Sequence, residues 1–202
     1  MHKIVVVEDQ SLIRDAISTL LSLEDDFDLV HKCENGAQAL TYLKTLQTPP
    51  TIVLSDIEMP ELSGIDLAEQ VAKLYPSVKF VIMTTFAKAG YVRRAMEYGV
   101  KGFILKDAPS DYLVASLRDI VKGKTIIDPE LAVLALGDKD PLTPKERKAL
   151  KLIADGMSTQ QVADKLFLSQ GTIRNYLSEA IAKLNAINSH DAARIARQKG
   201  WL

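Results

Sequence analysis

The chain holds a single cysteine, Cys33, among 202 residues. An internal disulfide is therefore impossible, and so is a metal site built on several thiolates. A small core hydrophobe is the role expected of Cys33. Long apolar runs are missing as well: none approaches the roughly 20 residues that a membrane-spanning helix needs. The opening Met1-His-Lys-Ile-Val-Val-Val-Glu8-Asp9 is too short an apolar stretch, too soon followed by acids, for a signal peptide. A soluble, cytoplasmic protein without direct membrane insertion is expected. Net charge is nearly absent, at −1, but it is unevenly spread. Residues 1–120 carry 12 Lys and Arg against 17 Asp and Glu, 121–140 carry 3 against 4, and 141–202 carry 10 against 5. An acidic body precedes a basic tail, and basic domains commonly meet nucleic acid, although they also occur as plain solvated surface. With 47% hydrophobic and 25% charged residues, the composition fits one large or two small globular domains.

What is present first is an alternation. Apolar, β-branched runs at Lys3 to Val7, Asp28 to Cys33, Thr51 to Ser55, Lys79 to Met83 and Gly102 to Leu105 are separated by amphipathic stretches near 10–23, 36–47, 64–74 and 88–98, with another at 110–121. Leu12, Ile13, Ala16, Ile17, Leu20 and Leu21 give the first of these an apolar stripe at spacings of three and four. Nearly unbroken apolar strands alternating with helices predict an α/β fold, a doubly wound five-stranded parallel sheet covered on both faces.

The residues that follow the runs carry the chemistry. Glu8-Asp9 end the first, Asp56 the third, Thr84-Thr85 the fourth and Lys106 the fifth. In an open parallel sheet, ligands bind at that edge. Taken singly, these residues also read as turn formers, helix-start charges, a strand residue and a surface lysine. If the strands are neighbours, three carboxylates, a hydroxyl and an ammonium converge on one pocket. Clustered carboxylates are costly without a cation, and a hard, oxygen-preferring ion such as Mg²⁺ suits them. Asp56 is then placed to attack a phosphoryl group while metal, Lys106 and Thr84 neutralise the oxygens.

Val5-Val-Val-Glu8-Asp9, Leu54-Ser-Asp56-Ile-Glu-Met-Pro60 with Gly64, Val81-Ile-Met-Thr84 and Gly102-Phe103-Ile-Leu-Lys106 resemble the CheY-like receiver domain of two-component response regulators. The motifs agree in order and spacing, with 47 residues from Asp9 to Asp56, 28 from Asp56 to Thr84 and 50 from Asp56 to Lys106. The resemblance implies that Asp56 accepts a phosphoryl group from a sensor histidine kinase. It implies that Glu8, Asp9, Asp56 and the backbone carbonyl of Glu58 hold Mg²⁺, and that Lys106 and Thr84 contact the phosphoryl oxygens. Phe103 falls at the position of a rotating aromatic switch, without a hydroxyl. Asp107 stands where Pro often follows the lysine, so a cis peptide is not expected there. Phosphorylation adds nearly two negative charges, which can draw Thr84 inward, rearrange the loop Thr85-Phe86-Ala-Lys-Ala-Gly90-Tyr91 and bias a bistable surface. That surface, around 88–98 and 110–121 with the apolar side of 10–23, is expected to form a homodimer; Phe86 and Tyr91 equally suit a core.

These motifs place a receiver domain at 1–121 and a turn-rich linker with room for one helix at 122–140, including the apolar patch Leu131 to Leu136 and Gly137-Asp138. From 141 to 202 the pattern becomes all-α. Thr143-Pro144-Lys-Glu146 and Ser158-Thr-Gln-Gln161 are capping boxes, Ser169 and Ser189 are N-cap candidates, and Gly156 is a helix stop. A helix at 159–166, a tight Phe167-Leu168 connection and a helix at 170–184 predict a helix-turn-helix. In the latter helix Ile173, Leu177, Ala180, Ile181 and Leu184 form a buried stripe. Gln170, Gly171, Arg174, Asn175 and Ser178 face the other way, with the residue types that read base edges or clamp phosphates. Such a face is also what any solvated amphipathic helix presents.

Leu142-Thr-Pro-Lys-Glu146, Ala154-Asp-Gly156-Met-Ser158 with Val162-Ala163, Leu168-Ser169 with Thr172-Ile173-Arg174, and Lys183-Leu184 resemble the effector domain of NarL/FixJ (LuxR-type) regulators. This implies contacts to double-stranded DNA from Arg174, Asn175 and Ser178, a phosphate-proximal Lys183, and RNA polymerase as a further partner. Ser178 replaces a common Lys, removing one phosphate charge, which avidity in a dimer would offset. Ala192, Ala193 and Ala196 suit either a dimer contact or an ordinary core. Within the family, Thr84 to Ala95 and Gly171 to Tyr176 resemble DesR-like regulators of Gram-positive bacteria, which respond to the state of the membrane. Two other classes stand beside a phosphorylation-activated transcription factor. Asp56-x-Glu58 resembles the acid-x-acid motif of haloacid-dehalogenase phosphatases, though there the nucleophile ends the first strand. A receiver whose helical domain binds protein instead of DNA is the third.

Overall fold

The computed structural model describes residues 1–85, 87–134, 136 and 139–202; Phe86, Gly137 and Asp138 of the readings above lie outside them. The chain divides into two units, 1–87 with 92–135, and 88–91 with 136–202.

In the first, strands β1 (His2–Val7), β2 (Phe27–Cys33), β3 (Ile52–Ser55), β4 (Lys79–Thr84), β5 (Gly102–Leu105) and β6 (Ile126–Ile127) form one parallel sheet in the order β2-β1-β3-β4-β5-β6. Helices α1 (Ser11–Ser22), α2 (Gly36–Thr45), α3 (Gly64–Leu74), α4 (Ala89–Glu97, of which 92–97 belong to this unit) and α5 (Ser110–Val121) connect or follow the strands. Five strands were expected. The sixth comes from the passage read as linker, where Ile126 and Ile127 extend the sheet beyond β5; two residues are too few for a period-two pattern to betray a strand. The same passage supplies α6 (Pro129–Leu134).

Alternate residues of a strand face opposite ways, and here both sides are covered. Ile4, Val6, Ile52, Leu54, Val81, Met83 and Ile104 pack with Ile17 and Leu21 of α1 and Leu113, Leu117 and Ile120 of α5. The intervening Val5, Val7, Val53, Ile82 and Phe103 are buried too, α2 and α3 packing on that sheet. Cys33 sits inside as expected, and burial pushes its thiol up to about 11, which leaves it unreactive.

The second unit contains α7 (Pro144–Ala154), α8 (Thr159–Leu166), α9 (Gln170–Lys183) and α10 (Ser189–Lys199). Both capping boxes form, and Ser169 caps α9. Ser189 does not cap: Asn188 accepts the Asp191 N–H instead, making Ser189 the first helical residue. Two adjacent side chains can compete for such a role, and Asn188 holds the extended backbone that a cap needs. Ala192, Ala193 and Ala196 are buried with Ile173, Leu177, Val162, Leu150 and Trp201 in one core, so the ordinary-core alternative is the one realised.

Candidate functional site

Strand order decides where the acids meet. The sequence winds outward from β1 in both directions, and the reversal between β2-β1 and β1-β3 opens a crevice at the strands' carboxyl ends. Backbone pairing carries on past the strands: Asp56 N donates to Val7 O at 2.9 Å and Glu8 N to Cys33 O at 3.0 Å. Glu8, Asp9 and Asp56 thereby bring carboxylate oxygens within 4.8 Å of one another. Lys106 enters from β5, where its N–H donates to Thr84 O at 2.9 Å. Its ammonium donates to Asp56 Oδ2 at 2.8 Å and stands 2.7 Å from Glu8 Oε2. Asp56 Oδ1 accepts the Ile57 N–H at 2.6 Å. Of the five groups expected to converge, Glu8, Asp9, Asp56 and Lys106 are brought together; Thr84 is buried at the end of β4, and Glu58 is exposed two residues past Asp56.

The charges are mutually dependent. Burial raises the Glu8 pKa and the charge of Asp56 adds to it, against Lys106, which lowers it. For Lys106, burial works downward, but its interactions with the Asp56 and Glu8 carboxylates together outweigh it and raise the pKa. Lys106 therefore keeps its proton at neutral pH. Glu8 is 1% exposed, and its Oε2, though close to Lys106, lies off the direction of any hydrogen bond. A buried, incompletely satisfied carboxylate oxygen beside two further carboxylates is a donor set that a hard divalent cation fits.

Several supports of this site were not singled out from the sequence. Arg14 of α1 donates to Glu8 O at 2.6 Å and pairs with Glu34 at 3.3 Å, tying the acidic turn to α1 and to the end of β2. Glu8 Oε1 also accepts the Gln10 N–H at 3.2 Å, just ahead of α1, whose first turn holds no acid. Gly64 is named above only as part of the receiver motif. It opens α3 and donates to Ile57 O at 2.9 Å, and a Cβ there would stand 1.8 Å from Asp56 O. Glu61 adopts φ 62°, braced by Asn35 Nδ2 at 3.2 Å. Asn35 before Gly36 is a cap signature; nothing in the sequence marks Glu61. Phe103 is 2% exposed, Tyr91 is buried, and no described peptide bond is cis, Lys106–Asp107 included.

On α9, Gly171, Arg174, Asn175 and Ser178 are exposed along one side and Gln170 is half-buried, its Oε1 accepting from Arg174 Nη2 at 3.3 Å. Lys183, expected near a phosphate, directs its ammonium at both carboxylate oxygens of Glu146, 2.8 Å from each.

Comparison with known proteins agrees with this geometry. Residues 4–118 match the response regulator receiver domain, and 140–196 match the bacterial regulatory proteins of the luxR family. The transcriptional regulatory protein YvfU of Bacillus subtilis is 42% identical over 202 residues, all of both chains. The transcriptional regulatory protein DesR of the same organism is 39% identical over 201 residues, covering 100% of this chain and 99% of that protein. Among solved structures, the response regulator ChrA of a heme-sensing two-component system is 27% identical with a TM-score of 0.55, over 99% of this chain and 98% of that one. RcsB of Salmonella typhimurium, at 21% identity, shares the fold with a TM-score of 0.71 over 98% of each chain.

Proposed function

Because the chain belongs to the response regulators that join a receiver domain to a LuxR-type DNA-binding domain, we propose that Asp56 is its phosphoryl acceptor and α9 the helix that reads its DNA. The observation that carries this is Lys106 held 2.8 Å from Asp56 and 2.7 Å from Glu8 beside a three-carboxylate cluster. An Asp56 oxygen attacks the phosphorus of a phosphohistidine on a sensor kinase; the P–O bond forms as the P–N bond breaks, and the imidazole leaves with the electron pair. Glu8, Asp9 and Asp56, with the Glu58 carbonyl, would hold Mg²⁺, which neutralises charge on the transferring group. Lys106 does the same from the chain itself. Once Asp56 carries the phosphoryl group as an acyl phosphate it is no longer a carboxylate partner, and the ammonium can follow the charge to a phosphoryl oxygen. Thr84, buried at the end of β4 between β3 and β5, supplies the hydroxyl for another, with Phe103 of β5 as the neighbouring aromatic. The added charge biases a surface that pairs two copies.

Gln170, Arg174, Asn175 and Ser178 supply the DNA face. No helix among the described residues is long and apolar enough to cross a membrane. Incubating the protein with Mg²⁺ and acetyl phosphate, then measuring intact mass and oligomeric state, tests the acceptor. An acid-labile adduct and a larger species are expected for the wild type and neither for Asp56→Ala. An adduct on Asp56→Ala would show another nucleophile.

A further inference from the structure

The two capping boxes of the helical domain do the same local job with different chemistry. At Ser158 the reciprocal acceptor is Gln161, exposed and neutral, with its Oε1 2.8 Å from Ser158 N. At Thr143 it is Glu146, 5% exposed and charged, with its Oε2 2.8 Å from Thr143 N. Capping alone does not call for a charge, and a buried carboxylate is costly unless it is paired. Its partner comes from the last turn of α9: Lys183 Nζ is 2.8 Å from both Glu146 oxygens across 37 residues of chain. Ionised Glu146 is favoured accordingly: burial would raise its pKa, but Lys183 and the Thr143 backbone bring it below the usual carboxylate value.

The tie fixes the far end of α9. Its near end is set by the Ser169 cap and the burial of Ile173 and Leu177. Lys183 lies five residues beyond Ser178, about 7.5 Å along the axis, so a rotation or slide at the tie re-aims Arg174, Asn175 and Ser178. We propose that Glu146 is a positioning residue for the recognition helix, and that the Lys183 charge serves this tie and not a DNA phosphate. The proposal rests on α9 being the DNA-reading helix, as argued above.

The two assignments of Lys183 differ in sign at Glu146. A duplex selected by the phosphorylated wild-type protein from a random pool, and a scrambled duplex of equal length, serve as probes across a salt series. The full-length variants are Lys183→Met, Glu146→Gln, the double substitution and Lys183→Arg. Gln at 146 keeps an acceptor for the Thr143 N–H, and fluorescence of Trp201, which is buried in the helical core, verifies folding. We expect Lys183→Met and Glu146→Gln each to weaken the selected duplex by about tenfold while leaving scrambled binding and the salt slope unchanged. The double variant is expected to be no worse than either single one, and Lys183→Arg to restore binding. A slope reduced by about one unit on both duplexes in Lys183→Met is the signature of a phosphate contact and would overturn the proposal, as would tighter binding by Glu146→Gln. A wild type that selects no duplex overturns the DNA reading itself, and this proposal with it.

Discussion

Lys106 is the residue on which the acidic site depends before any cation binds. Its side chain is 5% exposed between two carboxylates that are themselves buried. Removing one partner from a buried ionic cluster costs about 3–5 kcal/mol. Lys106→Met is therefore expected to lower stability by about that amount in chelator, with part restored by Mg²⁺, as thermal melts with and without the metal would show. A smaller penalty stands at Phe167, the αL residue that ends α8 at φ 55° with 94% exposure. A bulky side chain there costs about 1–2 kcal/mol that glycine avoids. Phe167→Gly should raise the urea midpoint followed by Trp201 fluorescence; a lower midpoint would mean that the ring packs in the folded domain.

At the scale of elements, the loop from β3 into α3 is shaped by close approach more than by side-chain chemistry. A methyl at Gly64 meets Asp56 O at 1.8 Å, a distance at which backbone has to move. Gly64→Ala should slow adduct formation from acetyl phosphate by about tenfold or more, since an ångström of misplacement is costly for a reacting group, while the helical domain unfolds as before. Helix α7 offers a pH test. Glu146 has a folded pKa below the ordinary glutamate value of 4.5, so its contribution is full above the unfolded value and is lost as pH falls through the lower folded one. Glu146→Gln should flatten the stability profile below about pH 4.5, read by acid titration of Trp201 fluorescence.

For the molecule as a whole, the division of labour follows the division of charge. The acidic first 120 residues hold the carboxylate cluster, and the basic last 62 hold the helix-turn-helix. A ligand that binds only the folded state stabilises it by about 2.7 kcal/mol at a hundredfold excess over Kd. Mg²⁺ should therefore raise the midpoint of the receiver unit, and Asp9→Asn should diminish the shift, in calorimetry that resolves both transitions. An unchanged wild-type midpoint at saturating Mg²⁺ would remove the metal site.

The sequence by itself determined the element types, the parallel sheet, the helix-turn-helix and the identities of Glu8, Asp9, Asp56, Thr84 and Lys106 as strand-end groups. Hydrophobic period, cap residues and turn residues act over a few positions, and those are visible along a chain. Strand order, the sixth strand, the support from Arg14, the backbone approach at Gly64 and the pairing of Lys183 with Glu146 were decided by tertiary structure alone. Each joins groups on different elements, and their pairing depends on which strand lies beside which and which helix end comes to rest against which, a choice made by burial of the whole core and not by any local run of residues.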